Sequence, residues 1–456
     1  MDIFDKRLSD LQDHESRTFY FSPKFQIERD SPIVNYTTVL ENLSIHQSTQ
    51  HNEVSLKNLK SKIANFKTSN LKIVNYLVKE FEMRKSASQY KRAKISRLGQ
   101  LDSRKLFAYK FKEDIFRQIT SVQEGKKHGM IFLLDWSGSM HPYLHETIEQ
   151  VINLAMFCQK IGIPYQVFAF SDGYTNDLSV KDIKVRNELG IGDTYDFSLL
   201  EFFSSKMNTR QFNAMIELLM DDPRHAPKYS INGTPLNHAL LYMVDYIGKF
   251  IHNNQVEKMT LITLTDGGSN EINNDVNFRL DPNKTRRKIK SGKCDITENG
   301  KNITIKARSI IRDDITHKEY DITMDQAQQT ATLMNIIKDR YCIQSVGFYI
   351  VNARRNEMYQ FIKNNIYNIK PQNQYSKSVE LALKLRRDKC VVLKDIPGRD
   401  ELYLLASTIK IEDEENYIDD VTQDMSATAI SKKFGKMLTT RKVSRVVLSS
   451  FIGMVA

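Results

Sequence analysis

The sequence predicts an α/β protein built on a doubly wound, mostly parallel sheet. Three observations point there. The uncharged runs 130–134 and 259–265 read as strands buried on both faces, the pattern of a parallel sheet covered by helices. Amphipathic helical patterns at 144–161 and 235–251 alternate with strands, as a βαβ chain requires. Both runs lead into a carboxylate, Asp135 and Asp266, and in such a sheet the loops at the carboxyl ends of the strands converge on one crevice.

The elements follow in order. Residues before about 55 are polar and weakly periodic, and an irregular or partly disordered start is expected. Over 56–88, Leu59, Ile63, Phe66, Leu71, Val74, Leu77, Val78 and Phe81 give helices with one apolar face. Residues 99–106 read as a turn with a cap-like Asp102 or Ser103 before a helix. Stretch 107–119 mixes aromatic and charged residues and fits strand or helix equally. The α/β domain starts near Lys127 with strand 130–134. Helix 144–161 follows, with Ile148, Val151, Ile152, Ala155 and Met156 at helical spacing. Then come strand 165–170, a polar segment 171–192, a strand at 197–203 suited to a sheet edge, and helix 211–220. Pro235 suits the first position of helix 235–251, where its missing N–H has no partner to lose.

After strand 259–265 the alternation breaks. Residues 270–321 are polar and charged, but 303–307 alternates like a strand and 320–323 could pair with it, a β-hairpin-like insertion. Helix 325–341, strand 343–351 and helix 357–364 resume the pattern; 390–393 and 401–405 are short elements of either type, and 427–455 is helix-like and basic. The chain thus divides into a helical, basic N-terminal extension (1–126), a Rossmann-like α/β domain (127–410) with an insertion at about 270–321, and a C-terminal helical segment (411–456).

Composition narrows the function classes. With 456 residues, 41% hydrophobic and 27% charged, the chain has room for two or three domains of ordinary composition. No apolar stretch is long enough to span a bilayer, and the start Met1-Asp2-Ile3-Phe4-Asp5-Lys6 lacks a signal-peptide pattern, so cytoplasmic residence without membrane contact is the expectation. Cys158, Cys294, Cys342 and Cys390 are far apart, which points to neither a zinc site nor a disulfide framework; Cys158 and Cys342 sit in apolar runs and read as buried. Net charge is +11, and the densest basic stretch, 84–97, reads as a solvated helix and linker rather than a nucleic-acid surface, because no RNA-binding or zinc-finger signature accompanies it.

The residues that carry chemistry are Asp135, Ser137 and Ser139 in Asp135-Trp136-Ser137-Gly138-Ser139, Thr234 in Ile231-Asn232-Gly233-Thr234-Pro235, and Asp266 in Thr265-Asp266-Gly267-Gly268. Small oxygen donors on tight loops suit a hard cation such as Mg²⁺. Taken singly, Asp135 and Asp266 could equally cap turns or helices. Taken together, the five resemble the metal-ion-dependent adhesion site of von Willebrand factor A (VWA) domains, in that family's order.

The resemblance implies a VWA-type fold in which Ser137 and Ser139 bind Mg²⁺, or another divalent cation such as Mn²⁺, directly. It implies that Thr234 binds directly or through water, and that Asp135 and Asp266 act through water. A partner protein's Asp or Glu would fill the remaining position. Residues 94–106, with Gly99-Gln100-Leu101-Asp102, are similar to the cobaltochelatase subunit that carries this domain and to proteins of large tailed bacteriophages. That branch implies a MoxR-like AAA+ ATPase as partner, and host cytoplasm if the chain is phage-encoded. Because the chain lacks a GxxxxGK[ST] loop, nucleotide hydrolysis is not expected of it. The expectation is therefore a non-catalytic adaptor. Three alternatives stay open: a purely structural virion component that uses the domain as glue, a cobaltochelatase-like subunit inserting metal into a tetrapyrrole, and a metallopeptidase using His141, His145 and Glu149. The last has a broken motif, since His145-Glu146-Thr147-Ile148-Glu149 lacks the second His of HExxH.

Overall fold

Each residue from Gly129 to Asp135 is buried, and so is each from Tyr165 to Ser171 and from Met259 to Thr265. Strands sandwiched between helical layers leave no solvent face for polar residues, which explains the uncharged runs. The computed structural model describes residues 16–25, 31–50, 53–92, 94–96, 119–121, 127–172, 190–191, 197–221, 223, 226, 229–270, 272, 275–276, 287–290, 293–298, 301–322, 325–351, 355–365, 371–388 and 390–406.

In chain order the elements begin with β1 (Ser16–Phe25), β2 (Ile33–Val34), α1 (Tyr36–Gln50), α2 (Glu53–Arg92), β3 (Lys94–Ser96) and β4 (Ile119–Ser121). Next are β5 (His128–Asp135), α3 (Leu144–Ile161), β6 (Tyr165–Ser171), β7 (Gly190–Ile191), β8 (Ser198–Ser204), α4 (Thr209–Met220), α5 (Leu236–Asn254) and β9 (Lys258–Thr265). The chain continues through β10 (Asp275–Val276), β11 (Arg287–Lys290), β12 (Lys293–Glu298), β13 (Lys301–Arg312) and β14 (Glu319–Ile322). Last come α6 (Gln326–Tyr341), β15 (Gln344–Val351), α7 (Arg355–Asn365), α8 (Pro371–Asp388), β16 (Cys390–Ile396) and β17 (Arg399–Ala406).

The principal sheet has eight strands in the order β16-β17-β15-β9-β5-β6-β8-β2. Strands β6, β5, β9, β15 and β17 run parallel, whereas β8 is antiparallel to β6 and β16 is antiparallel to β17. This is the doubly wound, mostly parallel arrangement expected. The chain winds outward from β5 through β6, then crosses back to β9, so the direction of winding reverses beside β5. Ligand crevices of open α/β sheets form at that reversal, outside the carboxyl ends of the strands. Both faces are covered. Met130, Phe132 and Leu134 of β5 pack with α1, α2, α3 and α4, while Ile131 and Leu133 pack with α5 and α6. The N-terminal helices share the first of these cores: Val39, Leu43, Ile63, Val74, Leu77 and Phe81 are buried in it, and Phe81 meets Phe157 of α3 edge-on at 6.0 Å.

Several elements differ from the sequence reading. Residues 16–25 form a strand and 36–50 a helix where an irregular start was expected; β1 pairs in parallel with β13, a partner almost three hundred residues away and invisible to local patterning. Strand β8 is not the sheet edge, because β2 pairs beyond it. Pro235 caps α5 with ψ at 45° instead of occupying its first turn, and its carbonyl accepts the Ala239 N–H. Cys342 is exposed: it ends α6 in the left-handed conformation, which turns it out of the apolar run. Helix α8 had no counterpart in the reading, since its exposed Lys384, Arg386 and Arg387 obscure an apolar face of Leu381, Ala382 and Leu385. Between β9 and α6 the chain builds more than a hairpin: β13 pairs with β12, β14 and β1 in a second sheet. The readings at 97–118 and 427–455 lie outside the described residues.

A buried ion pair ties the second sheet to the helical layer. Asp313, in the turn between β13 and β14, meets the Arg340 guanidinium of α6, and their side chains are 0% and 2% exposed. Burial alone would raise the Asp313 carboxyl, but hydrogen bonds from Arg340 and Thr316 outweigh it and hold the group below its usual range. Asp245 of α5 adds a 2.7 Å contact from a 49% exposed position. Arg340→Ala leaves Asp313 buried without its cation and is expected to cost about 3–5 kcal/mol in urea unfolding at neutral pH. Asp245→Ala should cost about 1 kcal/mol or less. Because the folded carboxyl is depressed, the contribution of the pair is present above the normal carboxylate range and is lost as pH falls through the lowered value. The gap between wild type and Arg340→Ala should therefore close on acidification.

Candidate metal centre

The loop after β5 is fixed by its one large side chain. Trp136 is fully buried, donates its indole N–H to the Tyr229 carbonyl at 2.8 Å and meets Phe202 edge-on at 5.1 Å. With Trp136 turned inward, Gly138 and Ser139 reach the surface while Asp135 and Ser137 stay 0% and 1% exposed. The Ser137 and Ser139 hydroxyl oxygens are 3.0 Å apart. Ser139 in turn donates to Asp266 Oδ1 at 2.8 Å, joining the loop after β5 to the loop after β9. One layer deeper, Thr265 donates to Asp135 Oδ2 at 2.5 Å. The other oxygen of Asp135, Oδ1, is buried and has no donor in hydrogen-bonding geometry among the described residues.

A third loop, which carries Thr234, lies against the first two. Asn232 forms a parallel bridge with Ser137, and its carbonyl accepts the Gly138 N–H at 2.8 Å. The Thr234 carbonyl accepts the Asn270 N–H at 2.8 Å. The structure thus draws Asp135, Ser137, Ser139 and Asp266 into one polar chain and sets Thr234 on the adjoining loop, joined to them through the backbone.

Electrostatics set the chemistry of the cluster. Burial, and then the Asp266 charge, push the Asp135 carboxyl up to about 7, against the hydrogen bonds from Thr265 and Ser137 that favour its anion. Asp266 is also raised, by burial, with the Ser139 hydrogen bond opposing. Two carboxylates and two hydroxyls, with one buried oxygen left without a donor among the described residues, form an all-oxygen donor set that fits a hard divalent cation such as Mg²⁺ or Mn²⁺. Ser137, Ser139, Asp135, Asp266 and Thr234 are the residues that could hold it. Among the described residues, no group of three or more His, Cys, Asp or Glu side chains converges as a metal site. His145 Nε2 lies 3.6 Å from Glu149 Oε1, with the His145 side chain 65% exposed.

Two sets of residues escaped the sequence reading. Asp172, directly after β6, accepts the Gly233 N–H at 2.9 Å. Its signal was positional: like Asp135 and Asp266, it stands at the carboxyl end of a parallel strand. Buried Asn237 of α5 accepts from the Thr330 hydroxyl at 2.6 Å, and its backbone N–H donates to Ser269 Oγ at 2.7 Å. Gln329 accepts the Ile272 N–H at 2.9 Å. This network holds the loop after β9 against two helices, and nothing local in the sequence marks it.

No protein-family model matches the chain, and no curated protein does. Among solved structures it is similar to the pilus adhesin SpaC from Lactobacillus rhamnosus GG at 16% identity and a TM-score of 0.29, over 58% of this chain and 30% of that one. It is similar to the vWF domain of the type V pili tip protein Mfa5 from Porphyromonas gingivalis at 10% identity and a TM-score of 0.28, over 58% and 97% of the two chains. For the pilus adhesin RrgA from Streptococcus pneumoniae the identity is 11% and the TM-score 0.27, over 49% and 39%. The chain therefore spans less than a third of the length of SpaC. At such scores the strand order, not the likeness, establishes the fold.

A carboxyl raised on folding destabilises the fold wherever it ionises. Without a divalent cation, the Asp135 contribution is neutral below the unfolded value of ~3.9 and grows unfavourable as pH rises to about 7. The full difference is on the order of 4 kcal/mol. In chelator, Asp135→Asn should therefore raise the urea midpoint at pH 8 and have little effect at pH 4. An equal effect at both pH values would contradict the assignment of the buried charge.

Proposed function

We propose that this chain is a Mg²⁺-dependent protein-interaction module that docks an acidic side chain of a partner. The observation that carries the reading is the Ser137–Ser139–Asp266 chain above buried Asp135, at the point where the sheet reverses its winding. The five side chains match the adhesion site of VWA domains in type and order, and they come from loops that the structure brings side by side. Ser137 and Ser139 supply neutral oxygens, while Asp135 and Asp266 are held back by hydrogen bonds to Thr265 and Ser139. A cation with few directly bound anions keeps its affinity for an incoming carboxylate, which is the chemistry of docking rather than of hydrolysis. Exposed Ser139 and Gly138 place the opening at the surface, where a protein can reach it.

The partner class rests on the sequence resemblance of residues 94–106, which names a MoxR-like AAA+ ATPase. In this reading the ATPase supplies the energy, and the adaptor links it to a client in the cytoplasm, or in the host cytoplasm for a phage-encoded chain.

Affinity capture from the native cell, in Mg²⁺ against EDTA, tests both parts. Partners retained in Mg²⁺ should be released by EDTA and lost in Ser137→Ala, and a hexameric ATPase should be among them by mass. Capture that survives both chelator and Ser137→Ala would remove the metal from the account. Metal-dependent capture of partners with no ATPase would remove only the partner class.

A further inference from the structure

We infer that Asp172 is a positioning residue of the metal centre, holding the Thr234 loop in register by accepting one backbone hydrogen bond. The inference deepens the reading above and rests on it. Asp172 stands one residue beyond β6, the strand beside β5, and its Oδ1 accepts the Gly233 N–H at 2.9 Å. A Cβ built on Gly233 would fall 2.5 Å from Asp172 Oδ2 and 2.7 Å from Asn270 Nδ2. Side chains following β6 and β9 therefore lie directly over the Gly233 backbone, and a side chain there would require the ends of both to shift. The neighbours of Gly233 are held as well. Asn232 accepts the Gly138 N–H from the loop after β5, and Thr234 accepts the Asn270 N–H from the loop after β9, each at 2.8 Å.

The tripeptide Asn232-Gly233-Thr234 is thus gripped from three strand ends, and Asp172 holds its middle residue. The segment lies outside helix and strand apart from the single bridge at Asn232, so contacts of this kind decide where the Thr234 hydroxyl stands. Groups that orient a metal ligand in this way contribute to affinity without touching the ion. Hydrogen-bond acceptance at a fixed reach, rather than negative charge, is what the geometry demands of Asp172.

Asn and Glu substitutions separate these two demands. Asp172→Asn keeps an acceptor oxygen in place and loses the charge, whereas Asp172→Glu keeps the charge and moves the acceptor by one methylene. Calorimetric titration of the full chain with Mg²⁺ should find Asp172→Asn within about twofold of wild type, while Asp172→Glu and Asp172→Ala weaken binding about tenfold. In a Thr234→Ala background, Asp172→Ala should add little further loss, because the ligand it positions is gone. Urea midpoints in chelator show whether each variant is folded, and the Asn–Glu comparison stands even if Asp172→Ala is not. Equal losses for Asn and Glu, the reverse order, or full additivity with Thr234→Ala would each overturn the positioning role. Failure of wild type to bind Mg²⁺, or binding unaffected by Ser137→Ala, would instead overturn the metal centre itself. Mg²⁺ binding that needs Ser137 and ignores every change at Asp172 would overturn the present inference alone.

Discussion

The burial of one carboxylate at the end of an apolar strand is the constraint around which this molecule is arranged. Asp135 is 0% exposed, accepts from Thr265 on one oxygen and, among the described residues, leaves the other without a donor. The charge of a second carboxylate, Asp266, makes its ionisation harder still. An isolated buried anion is among the costliest features a fold can carry, and it persists where a cation or a proton offsets it. The surrounding hydroxyls of Ser137, Ser139 and Thr265 are oxygen donors of the kind a hard cation takes. The site and the scaffold are therefore one problem: the sheet places Asp135 where solvent cannot reach it, and the loops must supply what it lacks.

The scaffold meets that demand with rigid contacts rather than with many ligands. Trp136 pins the loop after β5 from below, through its indole N–H and its edge contact with Phe202. The loop after β9 is held through Ser269 and Asn270 to Asn237, and through Ile272 to Gln329. The loops after β5 and β9 and the Thr234 loop before α5 are fastened to one another as well as to the layers beneath them. Such preorganisation limits how far the donor oxygens can move, which is how weak neutral ligands can still give a defined site.

Much of this was legible in the sequence, for a physical reason. Strands β5, β6 and β9 are buried on both faces, so burial wrote itself as largely apolar runs without charge inside them, and each is followed or ended by an Asp. Helix α3 read correctly to the residue because its buried face is largely apolar and Gly162 ends it in the left-handed conformation. What stayed hidden depends on distant partners. Strand β1 is stabilised by β13, and no residue near Ser16 announces it. The edge pair β16–β17 was ambiguous because only one side of β16 is paired in the sheet. Asp172 sits in the sequence Ser171-Asp172-Gly173, of ordinary composition, and its role appears only once Gly233 lies against it. Asn237, Gln329 and Thr330 occupy helix positions where polar residues are usually solvated, and their burial is a property of the tertiary fold alone.

The most direct measurement is a crystal structure of the chain grown with Mn²⁺, with the ion located by its anomalous scattering. The account predicts one strong peak in direct contact with the hydroxyl oxygens of Ser137 and Ser139, with Thr234 turned toward it and Asp135 and Asp266 in its surround. A structure in which Ser139 keeps its hydrogen bond to Asp266, with no peak between the three loops at saturating Mn²⁺, would contradict it.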